Sequence, residues 1–211
     1  MLETCCDLMV EAYERGMMTS RDGNVSLRYA DQKYWYLSPT NVRKHTLQPD
    51  QFKKLSLELG ENQTPVTLPY TDISAQLRPS GEYPVHYLLQ KNIPNGWDTR
   101  VVMHVHSTYT VAAMHAGIRL EHLRDQFPEI ARYSRVAPST PDVPPISWEL
   151  AQACADALKL DPHTGETKFD IVGVKGHGVF AVDKTPWRAY EHIERLDHIA
   201  KIVLASKGIS I

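Results

Sequence analysis

The stretch RVVMHVHSTYTV, residues 100–111, holds the change of period on which the fold turns. Its first half is a short apolar run that reads as a strand, RVVMHVH. Its second half opens STYTVAAMHAG, a helical segment with Ser107 or Thr108 as N-cap and Gly117 as its close. On a strand, side chains at i and i+2 share a face, so His104 and His106 project together, with ring nitrogens near enough to hold one ion.

Working outward, residues 3–17 place Leu8, Met9, Ala12 and Tyr13 at helical spacing, ending near Gly16. The turn at Asp22-Gly23 then leads into an alternating strand, Val25, Leu27 and Tyr29, and KYWYLS reads as its hairpin partner. Between Pro39 and Pro79, Pro, Asn and Gly break up short apolar pieces such as FKKLSLEL, which read as strands and loops. A helix is predicted from Glu82 to Gln90, with Pro84 in its first turn, where a missing N–H costs little. Beyond the central stretch, the proline-stiffened PSTPDVPP leads to Ser147, an N-cap for WELAQACADALKL. FDIVGVKGHGVFAV reads as two apolar strands joined at Gly176-His177-Gly178. Thr185-Pro186 opens a long last helix with the stripe Tyr190, Ile193, Leu196, Ala200, Val203 and Leu204. Strands and helices mix without strict alternation, which predicts one mixed domain over residues 1–211, α+β or three-layered.

Composition narrows the function. The 23 basic and 25 acidic residues leave a net charge of -2 with no basic block, which gives no support to a nucleic-acid partner or an anionic membrane surface. Cys5, Cys6 and Cys154 are odd in number and lack Cys-x-x-Cys spacing, as expected of free thiols in a reducing compartment. The first residues carry acids where an export signal needs bases, and no apolar run approaches the roughly 18 residues of a membrane span, so the expected location is the cytoplasm.

Imidazole suits zinc and other first-row divalent metals, and a catalytic zinc takes about three protein ligands beside an open position. His177 is the candidate third ligand, because its flanking glycines allow a sharp turn at the sheet end. The seven other histidines, His45, His86, His115, His122, His163, His192 and His198, share no ligand spacing and read as surface or capping residues.

Five segments in order, GNVSLR after the first helix, LSPTN on a hairpin strand, RPSGEYPVH opening a helix, HVHS, and GHGVFAV before the long last helix, resemble the motifs of the class II aldolase/adducin family. The resemblance spans most of the chain. It implies a three-layer α/β/α domain around a mainly antiparallel sheet, assembled as a homotetramer with the site between subunits. It also implies zinc on His104, His106 and His177, with Glu82 as the catalytic carboxylate. Zinc would accept the carbonyl and a neighbouring hydroxyl of a ketose and stabilise an enediolate, while Glu82 moves the proton. Read alone, Glu82 is a first-turn carboxylate favoured by the helix dipole. Arg21, Gly23, Asn24, Thr40, Asn41, Ser80 and Gly81 fall on the family's phosphate-binding turns, where backbone N–H groups cradle anions. Three of these depart from the family's usual pattern: Arg21 replaces a small hydroxyl residue, Asn41 a glycine and Gly81 a second serine. Asn41 tolerates a left-handed backbone, and Arg21 offers a bidentate fork to phosphate or carboxylate.

The expected activity is zinc-dependent retro-aldol cleavage of a small phosphorylated ketose. Decarboxylation of a 3-oxo sugar-acid phosphate, or dehydration of a ketose phosphate, is the alternative on the same metal site. Family aldolases protonate the leaving aldehyde with a tyrosine from an adjacent subunit; here Phe127 falls near that place and Tyr133 six residues on, which weakens retro-aldol chemistry relative to the alternatives. A non-catalytic, adducin-like scaffold is disfavoured by the retained histidines.

Overall fold

A computed structural model describes residues 1–209; residues 210 and 211, the end of the expected domain, lie outside it. Seven strands form one sheet: β1 (Asn24–Tyr29), β2 (Tyr34–Leu37), β3 (Lys53–Leu59), β4 (Pro65–Leu68), β5 (Thr99–Val105), β6 (Ile171–Val174) and β7 (Gly178–Asp183). Their order is β4-β3-β2-β1-β5-β7-β6, and every neighbouring pair is antiparallel. Seven helices accompany them: α1 (Leu2–Glu14), the short α2 (Asp72–Ala75), α3 (Tyr83–Gln90), α4 (Thr108–His115), α5 (Pro128–Tyr133), α6 (Trp148–Leu158) and α7 (Pro186–Ser206).

The alternation of β5 sorts these helices into two layers. Val101, Met103 and Val105 face one way and join a core built from α1, α4, α5 and α7. Val102 faces the other way and packs with Val85 and Leu89 of α3 and Leu150, Cys154 and Leu158 of α6. The result is helices on both faces of an antiparallel sheet, the mixed α/β architecture expected. The α7 stripe is buried along its whole length, from Tyr190 to Leu204. Each fully buried leucine or isoleucine in that stripe is worth about 1.5–3 kcal/mol of transfer free energy, which outweighs any propensity term for the helix.

The structure corrects several sequence readings. β5 ends at Val105, so His106 is the first residue past the strand: β1 begins opposite His104, and the last pair with β7 is Val105 with Val179. Ser107 stands at the N-cap of α4 but makes no cap bond with its own side chain. The cap comes from α7: Asp197 Oδ1 accepts from the N–H of Tyr109 at 2.9 Å, the N–H of Thr110 at 3.0 Å and the Ser107 hydroxyl at 2.6 Å. His86 and His192, expected at the surface, are buried. The three cysteines are buried and unpaired. Among the described residues no helix is long and apolar enough to cross a membrane.

Candidate metal centre and active site

His104 is fully buried near the end of β5, on the face that α3 covers. Its Nδ1 lies 2.8 Å from the carbonyl of Val179 on the neighbouring strand, to which it donates. That bond fixes the tautomer and leaves Nε2 as a bare lone pair. His177 reaches the same point from the β6–β7 hairpin, and the close approach depends on Gly178. A Cβ there would collide with the Val105 carbonyl oxygen and lie 3.0 Å from His104 Cε1, so only glycine lets the hairpin lie against the strand end. The rings of His104, His106 and His177 sit 4.7–5.0 Å apart by centroid, and one ligand nitrogen from each lies within 4.8 Å of the others.

Glu82, at the N-cap of α3, closes the cluster. Its Oε2 lies 3.2 Å from His104 Nε2, and its Oε1 lies 3.2 Å from His177 Nε2. Burial pushes the carboxyl pKa up, but His104, the Asn24 amide donating to Oε2 at 2.7 Å and His177 together bring it below the ordinary value, so the group is ionised. Burial takes the His104 imidazole down to about 4, so it is neutral at physiological pH. The bare His104 Nε2 therefore faces Glu82 Oε2, an acceptor already served by Asn24, inside the protein. Among the described residues, His104 Nε2 and Glu82 Oε1 have no hydrogen-bond partner. Lone pairs so placed repel unless a cation lies among them. Three imidazoles and a carboxylate suit a divalent transition metal such as zinc.

A second trio, Asp170, Asp183 and His192, also lies within ligand distance. There the charges are already answered. Arg135 holds Asp170 as a fork, while Arg188 at 3.1 Å and His192 at 3.0 Å hold Asp183. That cluster is an ion-pair network of buried carboxylates held by exposed arginines.

Beside the histidines opens a cavity of about 220 Å³. Three loops form its walls, and backbone bonds tie them together: Lys44 N–H to Ser20 O at 2.7 Å, and Thr40 N–H to Arg78 O at 3.0 Å. Gly23 has φ +73° and lies so close to the His104 carbonyl that a Cβ would come within 2.8 Å, so the first loop is pressed onto the strand that carries His104. Arg21, Gly23, Asn24, Thr40, Ser80, Gly81, Glu82, His106 and His177 all line the cavity, whereas His104 lies buried beside it. Asn41 does not line it; with φ 61° it makes the left-handed corner that follows Thr40.

Among the lining residues that sequence reasoning misses are Asp22, Lys44, Pro145 and Ile146. Asp22 reads as plain turn chemistry, yet its carboxylate lies 3.6 Å from His106 Nδ1. Lys44 carries no sequence signal. Its buried ammonium donates to the carbonyls of Pro39 at 3.2 Å and Val42 at 3.0 Å, bracing the phosphate-type corner, and burial lowers it to about 8. Ile146, at φ 55°, explains the departure at Gly81. A serine Cβ there would meet Ile146 Cγ2 at 3.0 Å, so the loop over the cavity occupies the space of the missing side chain. Phe127 and Tyr133 do not reach this cavity; Phe127 packs on the large core, and Tyr133 lines a separate depression with Arg135 and Asp183.

The family model described as Class II Aldolase and Adducin N-terminal domain matches residues 3–204. The chain belongs to that family. A curated relative, methylthioribulose-1-phosphate dehydratase of Komagataella phaffii (strain GS115), is 24% identical over 218 residues, covering 98% of this chain and 82% of that protein. Among solved structures, L-fuculose-1-phosphate aldolase from Thermus thermophilus superposes with a TM-score of 0.72 at 21% identity, covering 98% of this chain and 94% of the other. YgbL from Escherichia coli gives 0.77 at 20% identity, with 97% and 88% covered. At such identities the structural likeness establishes the class II aldolase fold. Members of the family include aldolases and dehydratases, enzymes acting on small molecules.

Proposed function

We propose that this class II aldolase-fold chain is a metal-dependent lyase of small phosphorylated ketoses, with Glu82 as its base. The observation that carries the reading is the pair of Glu82 oxygens. One is held by Asn24, and the other is unpaired at the edge of a cavity that also presents Arg21. When bound by His104, His106 and His177, a divalent metal, zinc in the first instance, supplies a Lewis acid for the substrate carbonyl. Glu82 removes the proton from the carbon beside that carbonyl and carries it to the departing group. Arg21, the Gly23 turn and the hydroxyls of Thr40 and Ser80 hold the phosphate. The loop carrying Pro145 and Ile146 keeps bulk water off the reacting carbon.

For the bond that breaks, dehydration is the stronger reading. The relative matched over nearly the whole chain is a dehydratase, and among the described residues no tyrosine lines the cavity to handle the hydroxyl proton as an aldehyde leaves. Retro-aldol cleavage remains the second reading, with the donor coming from a neighbouring copy in a homotetramer. The test is deuterium exchange into dihydroxyacetone phosphate by the zinc-loaded protein, followed by product analysis with methylthioribulose 1-phosphate. Glu82→Gln is expected to lose exchange by about 10²- to 10⁴-fold with zinc retained. A fully active Glu82→Gln protein overturns the base assignment, and two carbonyl fragments in place of loss of water would decide for cleavage.

A further inference from the structure

Five buried side chains link β1 to α3 in a single file. Asn24 and Ser26 lie two apart on one face of β1, while Glu82, His86 and Gln90 recur every four residues along one face of α3, so a period of two meets a period of four. Gln90 Nε2 donates to Ser26 Oγ at 2.9 Å, Ser26 Oγ lies 2.7 Å from His86 Nδ1, His86 Nε2 bonds Asn24 Oδ1, and Asn24 Nδ2 donates to Glu82 Oε2 at 2.7 Å.

The carboxylate end fixes the direction of every bond. Asn24 donates its amide N–H to Glu82 Oε2, so its oxygen is turned toward the ring. His86 Nε2 must then carry the hydrogen. Burial makes the ring neutral, so Nδ1 is bare and the Ser26 hydroxyl has to donate to it. Ser26 Oγ in turn accepts from Gln90. With the opposite tautomer, the bare Nε2 would meet either the Asn24 oxygen or, after an amide flip, an Asn24 nitrogen turned away from Glu82.

We infer that His86 is a positioning residue for Glu82: its Nε2–H tautomer locks the Asn24 amide, which aims the carboxylate into the cavity. This rests on the reading of Glu82 as base. Three measurements test it. Side-chain ¹⁵N NMR of the metal-free protein, which needs no turnover, is expected to report His86 as the Nε2–H tautomer. Deuterium exchange into dihydroxyacetone phosphate by zinc-loaded His86→Leu is expected to fall about 10- to 100-fold in kcat, with KM and zinc content near wild type. His86→Gln, whose amide donates from a similar position, should recover most of that loss, which a purely structural role would not predict. An Nδ1–H tautomer overturns the inference, as does a His86→Leu protein with wild-type kcat while Glu82→Gln is inactive. An active Glu82→Gln protein would instead fault the base assignment itself. If His86→Leu does not fold, Ser26→Ala, which removes the donor to Nδ1, is expected to lower kcat in the same way, and wild-type kcat there counts against the inference.

Discussion

At Gly178 the missing Cβ matters more for the site than most side chains do. The hairpin that carries His177 lies against β5 only because nothing projects from residue 178 toward the Val105 carbonyl. Gly178→Ala must push the hairpin outward and separate His177 from His104 and Glu82. The expected result is a folded protein with zinc affinity reduced by at least about 10-fold, measured by competition with a chromophoric chelator. Unchanged affinity would mean that the hairpin position is not set by this contact. His104 and His106 come together as their spacing suggests, although β5 ends one residue before His106. His177 is reached through its glycines. His86 is misread because a histidine on a helix is indistinguishable by pattern from a surface one; only the facing residues Asn24 and Ser26 of β1, 60 and more positions away in sequence, give it partners.

The same locality governs what can be read of the elements. Ser147 and Thr185 cap α6 and α7 as their sequence positions predict, accepting from the N–H groups of Leu150 and Arg188. The cap of α4 cannot be read, since Asp197 comes from a helix about 90 residues later. That carboxylate also anchors the chain directly after His106, so the element and the histidine cluster share a support. Asp197→Ala leaves two backbone N–H groups and a hydroxyl unanswered in a buried place. It is expected to cost about 1–3 kcal/mol, seen as a fall in the midpoint of urea unfolding. Ser107→Ala, which removes one donor and leaves both backbone bonds, should cost less. Equal losses in the two variants would refute Asp197 as the cap. The segment from residue 39 to 79 is the least readable, because β3 and β4 pair with a register shift between Leu55 and Leu59 and are joined through left-handed Asn62 and Gln63. Neither feature leaves a periodic trace.

Across the whole molecule, burying neutral histidines links the fold to pH. Burial lowers His86 to about 3 and His104 to about 4, both well under the ordinary 6.5. Because the folded values are depressed, the unfolded chain binds protons that the native protein refuses. The stabilisation is therefore complete above pH 6.5 and drains away as pH falls toward the folded values. Each such histidine adds a slope of about 1.4 kcal/mol per pH unit within its window. Asp183, which burial would raise but which His192, the Lys184 N–H and Arg188 bring below 3.8, acts only at lower pH, where protonation breaks the ion-pair network behind β7. Acid unfolding of the metal-free protein should accordingly begin near about pH 6, before any carboxylate titrates, and steepen below about pH 4. His86→Gln removes one of the early contributions, so between about pH 6 and 5 its stability should fall more gently than that of wild type, by about one proton's slope. Urea unfolding at half-unit pH intervals measures this directly, and parallel curves for the two proteins would show that His86 is not the neutral, buried link between strand and helix on which the geometry of Glu82 depends.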